Sequence, residues 1–132
     1  EKAERVFHSN AASLEAHPMA YPQLLIAIDF ALGPTREIVL AGDKKSVDFQ
    51  NYLDLVRDRF SPRKVILHHP VDETASRIER LAGFIKTQTP QQGRTAVYVC
   101  QNQTCQLPVT SREKLARLLT ETDQRKGASS SG

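Results

Sequence analysis

Three short β-branched runs, each separated from the next by a stretch of helical period, constrain this chain more than any other feature. They are Arg36-Glu37-Ile38-Val39-Leu40-Ala41-Gly42, Lys64-Val65-Ile66-Leu67-His68 and Thr95-Ala96-Val97-Tyr98-Val99-Cys100. Each is a continuous apolar run rather than an alternation of apolar and polar residues, the pattern of strands buried on both faces. Between the first two, Phe49, Leu53, Val56 and Phe60 recur every three or four residues and predict a helix that Ser61-Pro62 ends. Between the second and third, Ile78, Leu81, Ala82 and Ile85 form another apolar face, with Asp72 placed to cap its start. The order β-α-β-α-β predicts an α/β domain with a three-stranded, mainly parallel sheet.

The link from the third run to Gln106–Val109 is too short for a parallel crossover, so that segment is expected as an antiparallel edge strand. Pro108 fits an edge, where a missing N–H is tolerated. Thr110 and Glu113 match a capping box ahead of a last helix carrying Leu115, Leu118 and Leu119. Upstream, Ala3, Val6, Phe7 and Leu14 give residues 1–15 one apolar face, and Leu24, Leu25, Ile28 and Leu32 mark a second helix from about Met19. Gly33-Pro34 stops it. The reading is a helical hairpin over residues 1–33, a small α/β domain over 34–122 and a flexible tail over 123–132, rich in Ser and Gly.

Composition narrows the function classes. Apolar residues are 39% of the 132, enough for one modest core. Eighteen basic and fifteen acidic residues are interspersed, so the net charge of +3 forms no stripe that a nucleic-acid binder would present. The longest apolar stretch, Leu24 to Leu32, is broken by Asp29 and falls short of the ~20 residues of a membrane span. No secretory h-region opens the chain, which places it in the cytoplasm as an expectation. The first residue is Glu1 rather than Met, and the chain is expected to be a piece of a longer protein.

Few groups are candidates for chemistry. Cys100 and Cys105 stand in a C-x4-C spacing. If the intervening residues form a hairpin loop, the two face each other at a separation compatible with a cross-strand disulfide or a dithiol switch, with two packing thiols or metal ligation as the other readings. At the carboxyl ends of parallel strands, where ligands gather in open sheets, stand Gly42, Asp43, His68, His69 and Cys100, with Asn102 in the loop beyond. His68 and His69 are expected in a solvent-facing loop. Ala41–Ser46 is a strand-to-helix turn without a phosphate-loop pattern, so Asp43 or Ser46 is expected to cap the next helix. No catalytic residue, metal site or cofactor is assigned from these patterns, because no nucleophile motif or zinc spacing occurs.

The stretch Thr95–Thr110, with its run A-V-Y-V-C-Q-N-Q-T-C-Q-L-P-V-T, resembles the C-terminal end of the thioredoxin-domain-containing family typified by spermatogenesis-associated protein 20. Glu37–Asp43 resembles that family's E-[IV]-V-[IL]-x-G-[DE] segment, and Pro62-x-Lys64-Val65 its P-x-K-V. The likeness runs from about residue 20 to 120. It implies a parent with a thioredoxin-like domain, a six-hairpin helical barrel of the sugar-epimerase and glycosidase type, and this α/β tail. Residues 1–32 are then the last hairpin of the barrel, and the partner of this chain is the upstream part of its own parent. Cys100, Asn102, Cys105, Pro108, Thr110, Gly42 and Asp43 match the family pattern, and no catalytic residue of the family carries over onto this chain. His68-His69 departs from it. The resemblance implies a non-catalytic accessory domain. A thiol redox switch at Cys100 and Cys105, or a fragment of a sugar epimerase or glycosidase, are the alternatives.

Overall fold

The computed structural model describes residues 2–102 and 104–124, with the side chains of 122–124 excepted. The tail expected over 123–132 lies almost wholly outside the described residues. The chain divides into two compact units, Glu1–Thr35 and Arg36–Gly132.

The first unit is helical. Helix α1 spans Lys2–Ala16, a 3-10 turn follows at Pro18–Ala20, and α2 spans Pro22–Leu32. Gly33 ends α2 at φ 51°, a conformation that favours glycine, and its N–H bonds the Phe30 carbonyl. Both helices contact the turn between them, and Leu14 is the buried residue of α1. Eight of the eleven residues of α2 are apolar, yet none of them is buried.

The second unit is a four-stranded sheet of order β2-β1-β3-β4. The strands are β1 (Arg36–Ala41), β2 (Lys64–His69), β3 (Ala96–Gln101) and β4 (Thr104–Cys105). Helix α3 (Val47–Arg57) connects β1 to β2, α4 (Ala75–Leu81) and a 3-10 turn (Gly83–Thr87) precede β3, and α5 (Arg112–Gln124) closes the order. The α/β class is as expected, but the direction of β3 is not. β1 pairs β2 in parallel, from Arg36 opposite Lys64 to Ala41 opposite His69. β3 runs antiparallel to β1, with Arg36 opposite Gln101 and Ala41 opposite Ala96. The reason is the connection. α4 has only seven residues and the chain reverses through the 3-10 turn, so it re-enters the sheet at the same strand end it left, with Ala96 and His69 both opposite Ala41. A continuous apolar run reports burial on two faces, which a central antiparallel strand satisfies equally well.

Alternation along β1 and β3 builds a core on each face. Ile38, Leu40, Val97 and Val99 meet Phe49, Tyr52 and Val56 of α3 and Leu115 and Leu119 of α5. On the other face Val39, Ala41, Ala96, Tyr98 and Cys100 meet Ile85, with Ile78, Ala82 and Phe84 packed against them. α3 ends before Phe60, which is 91% exposed, and Tyr52 takes the buried position instead. Lys64 Nζ donates to the Val56 and Arg59 carbonyls at 2.5 and 2.6 Å, tying off the end of α3.

The edge beyond β3 differs in detail from expectation. β4 is Thr104–Cys105, and the ladder resumes only where Val97 and Val109 exchange hydrogen bonds of 2.8 and 2.9 Å. Gln106 N donates to Val99 O, so three residues on the edge strand span two on β3. This is a bulge at Leu107-Pro108, where the lack of an N–H on proline leaves no ladder bond unmade. The cap of α5 is Ser111, one residue later than expected, its Oγ accepting from Lys114 N at 3.3 Å and donating to Glu113. Backbone N–H and Ser111 hydroxyl bonds hold the Glu113 carboxyl below its ordinary range.

Tyr52 OH donates to Thr110 O at 2.7 Å, fastening α3 to the segment that launches α5. Burial, followed by the Asp48 charge, raises its pKa. A raised folded pKa gives stability that is complete below the unfolded value near 10 and is lost as pH rises through the folded one. Tyr52→Phe is expected to cost about 1 kcal/mol at neutral pH, and urea titrations at pH 7 and above pH 10 should show the gap from wild type closing in alkali.

Candidate functional site

The end of β1 at Gly42 has a shape that its residue type explains. Its φ is 152°, and a Cβ there would stand 2.6 Å from Thr95 Oγ1 and 3.1 Å from Thr95 Cα. Asp43 Oδ1 accepts from Lys45 N at 2.9 Å, turning the chain. Ser46 then caps α3, accepting from Phe49 N at 3.2 Å, and its hydroxyl also pairs with the buried Thr95 hydroxyl at 3.1 Å. Of the two expected caps, Ser46 acts on the helix and Asp43 on the turn before it.

His68 and His69 are the last residues of β2 rather than a solvent loop, and they point to opposite faces, as successive strand residues do. His68 Nε2 lies 2.9 Å from Gly42 O, so that nitrogen carries the proton, and the ring meets Phe49 edge-on at 4.8 Å. With Gly42, Asp43, Lys44, Lys45, Asp72 and Thr74 it borders a depression of about 400 Å³ at the carboxyl ends of β1 and β2. Asp72 Oδ1 accepts from Thr74 N at 2.9 Å and from the Thr74 hydroxyl. Those bonds, hydroxyl first, lower its pKa, with smaller help from the His68 and Lys44 charges.

His69 serves the other face. It is 5% exposed, with Nδ1 at 2.6 Å from Gln88 O and Nε2 at 3.0 Å from Glu79 Oε1. A carbonyl can only accept, so Nδ1 donates. Tyr98 OH donates to Thr89 O at 2.6 Å and accepts from Gln91 Nε2 at 3.0 Å. Residues 88–91 thus form a strap over the second face, latched by side chains from β2 and β3. Neither latch has a sequence signal, since each joins a strand residue to a loop carbonyl.

The antiparallel register separates the expected strand-end group. Gly42, Asp43 and His68 come together. Cys100 pairs with Glu37, and Asn102 turns the chain just past Gln101, so both lie at the opposite end of the sheet. Asn102 has φ 51°, the left-handed conformation a tight hairpin turn requires. Cys100 and Cys105 form a disulfide across that hairpin, with Cα atoms 3.9 Å apart. Gln106 N bonds Val99 O, so the cysteines occupy the non-hydrogen-bonded pair, in which side chains stand closest. Cys100 is 1% exposed and Cys105 is half-buried. Gln88, which carries no motif, donates its Nε2 to Cys105 Sγ at 3.2 Å. Among the described residues no group of three or more His, Cys, Asp or Glu side chains is arranged to hold a metal ion. Nor is any helix long and apolar enough to cross a membrane.

Two substitutions test this edge. Gly42→Ala is expected to lower stability by about 2 kcal/mol in urea titration, through backbone strain and the clash with Thr95. Asp72→Asn is expected to flatten the acid limb of the stability profile. A depressed folded pKa gives stability that is present above the unfolded value and is lost as pH falls through the folded one.

The chain is similar to spermatogenesis-associated protein 20 from Homo sapiens, Rattus norvegicus and Mus musculus, at 28% identity over 102 residues in each case. The matched region is 77% of this chain but only 13% of the length of each relative. The likeness to that family, expected from the residues around Asp43 and Cys100, is thereby shown. No family model matches, and no solved structure matches significantly.

Proposed function

We propose that this chain is a non-catalytic accessory domain of a larger thioredoxin-like and helical-barrel protein. Its α/β unit is attached through the first unit to preceding helices, where it shapes one end of a sugar-facing barrel. A similarity that spans 13% of much longer relatives supports an accessory domain of a larger protein. The observation that carries the finer reading is α2. A helix as rich in apolar residues as this one normally lies in a core, and this one has no buried residue, with Ile26 69% and Leu32 79% exposed. Such a helix is stable in water only when something covers it. Preceding helices of the same parent supply a matching apolar surface. On this reading any sugar chemistry of the parent belongs to the barrel.

The test uses the 132-residue chain. It should bind the hydrophobic dye ANS and self-associate. Ile26→Lys with Leu32→Lys should reduce both several-fold while leaving the melting of the α/β unit unchanged. Absence of dye binding in the wild type, or turnover of a sugar epimerase or glycosidase substrate by this chain alone, would contradict the proposal.

A second reading, a thiol switch, draws support from the disulfide itself. It joins a buried cysteine to a half-buried one on the outermost strand of the sheet.

A further inference from the structure

We propose that Cys100–Cys105 is a thiol–disulfide exchange site for a soluble dithiol, entered at Cys105, with Gln88 as the positioning residue that favours the open form. The proposal rests on the thiol-switch reading and adds to it the sulfur attacked, the class of reductant and the group that sets the balance.

The asymmetry of burial selects the point of entry. Cys100 Sγ belongs to the core formed with Val39, Tyr98 and Ile85. Cys105 lies on the outermost strand of the sheet. A thiolate must reach a sulfur to attack it, and Cys105 is the one it reaches.

Gln88 is 7% exposed, and its backbone is held by the His69 latch. Its amide therefore projects at the disulfide from a fixed origin. Nε2 donates to Cys105 Sγ, while Oε1 is buried with no hydrogen-bond partner. A buried amide oxygen left unpaired is unfavourable. A disulfide sulfur accepts only, so it cannot relieve that oxygen. A thiol both accepts and donates. Reduction therefore places an S–H beside an amide whose oxygen lacks a donor, while Nε2 keeps its acceptor.

The exchange balances as follows. One thiolate of the dithiol attacks Cys105 Sγ. The bond to Cys100 breaks, and Cys100 leaves as a thiolate that takes a proton from solvent. The second thiol of the reductant, deprotonated, attacks its own sulfur in the mixed disulfide. Cys105 leaves as a thiolate facing Gln88 Nε2 and is protonated in turn. Two electrons and two protons have moved from the dithiol to the cysteine pair, and the dithiol departs as a disulfide.

The test equilibrates the 132-residue chain with graded ratios of reduced to oxidised dithiothreitol, followed by thiol alkylation and mass measurement. The wild type should open reversibly while its far-UV circular dichroism is retained. Gln88→Met should move the equilibrium about fivefold toward the disulfide, the value of one ordinary hydrogen bond. If Gln88→Met fails to fold, Gln88→Asn, which keeps an amide but withdraws it from the sulfur, should shift in the same direction. Separately, with Gln88 intact, Cys100→Ser should form a mixed disulfide with oxidised glutathione about tenfold faster than Cys105→Ser. A wild-type bond that opens only in denaturant would overturn the thiol-switch reading and this inference together. A wild type that opens normally, with the equilibrium unmoved by the Gln88 variant, would overturn the role of Gln88 alone. Equal trapping rates in the two serine variants would overturn entry at Cys105.

Discussion

Everything in the α/β unit depends on β1 being buried on both faces. Ile38, Val39, Leu40 and Ala41 have no measurable exposure. Ile38 and Leu40 anchor the core under α3 and α5, and Val39 and Ala41 anchor the one under α4. A strand in that position must have all its backbone groups paired, since none can turn to water. β2 meets the requirement on one side in parallel and β3 on the other side antiparallel. That pairing decides which ends of which strands become neighbours, and hence where every candidate functional group lies.

Much of this was legible in the residues. The three apolar runs coincide with β1, β2 and β3, Gly33 stops α2 in a left-handed conformation, and Ser46 caps α3. The spacing of Cys100 and Cys105 left a cross-strand disulfide among several readings, and the two sulfurs are bonded. Strand direction was not legible, because direction is set by where the connection returns. The length of residues 70–95 admits a full crossover, and only the brevity of α4 and the reversal after it rule one out. The loss of direction carried the site with it, since a parallel β3 would bring Cys100 to the edge of Asp43 and His68. Local errors have local causes. Thr110 and Ser111 are both competent caps, and backbone geometry chose Ser111. Phe60 keeps the helical spacing, but α3 ends at Arg57.

The polar contacts that matter most had no sequence signature. His69 to Gln88, Tyr98 to Thr89 and Gln88 to Cys105 all join a strand to one irregular strap. A glutamine in a polar loop reads as a solvated residue. Here it is buried because latches from β2 and β3 draw the strap down onto the sheet. The depression near His68 and the disulfide therefore stand as separate features at opposite ends of the sheet. The apolar α2 is a third feature, within the helical unit.

The antiparallel register of β3 is the claim on which this distribution rests, and cross-strand nuclear Overhauser contacts in the labelled chain test it directly. Contacts between the backbone protons of Ala41 and Ala96, and between those of Glu37 and Cys100, are predicted. Contacts pairing Ala41 with Cys100 and Glu37 with Ala96 would mean a parallel β3. They would move the disulfide beside His68 and contradict the account.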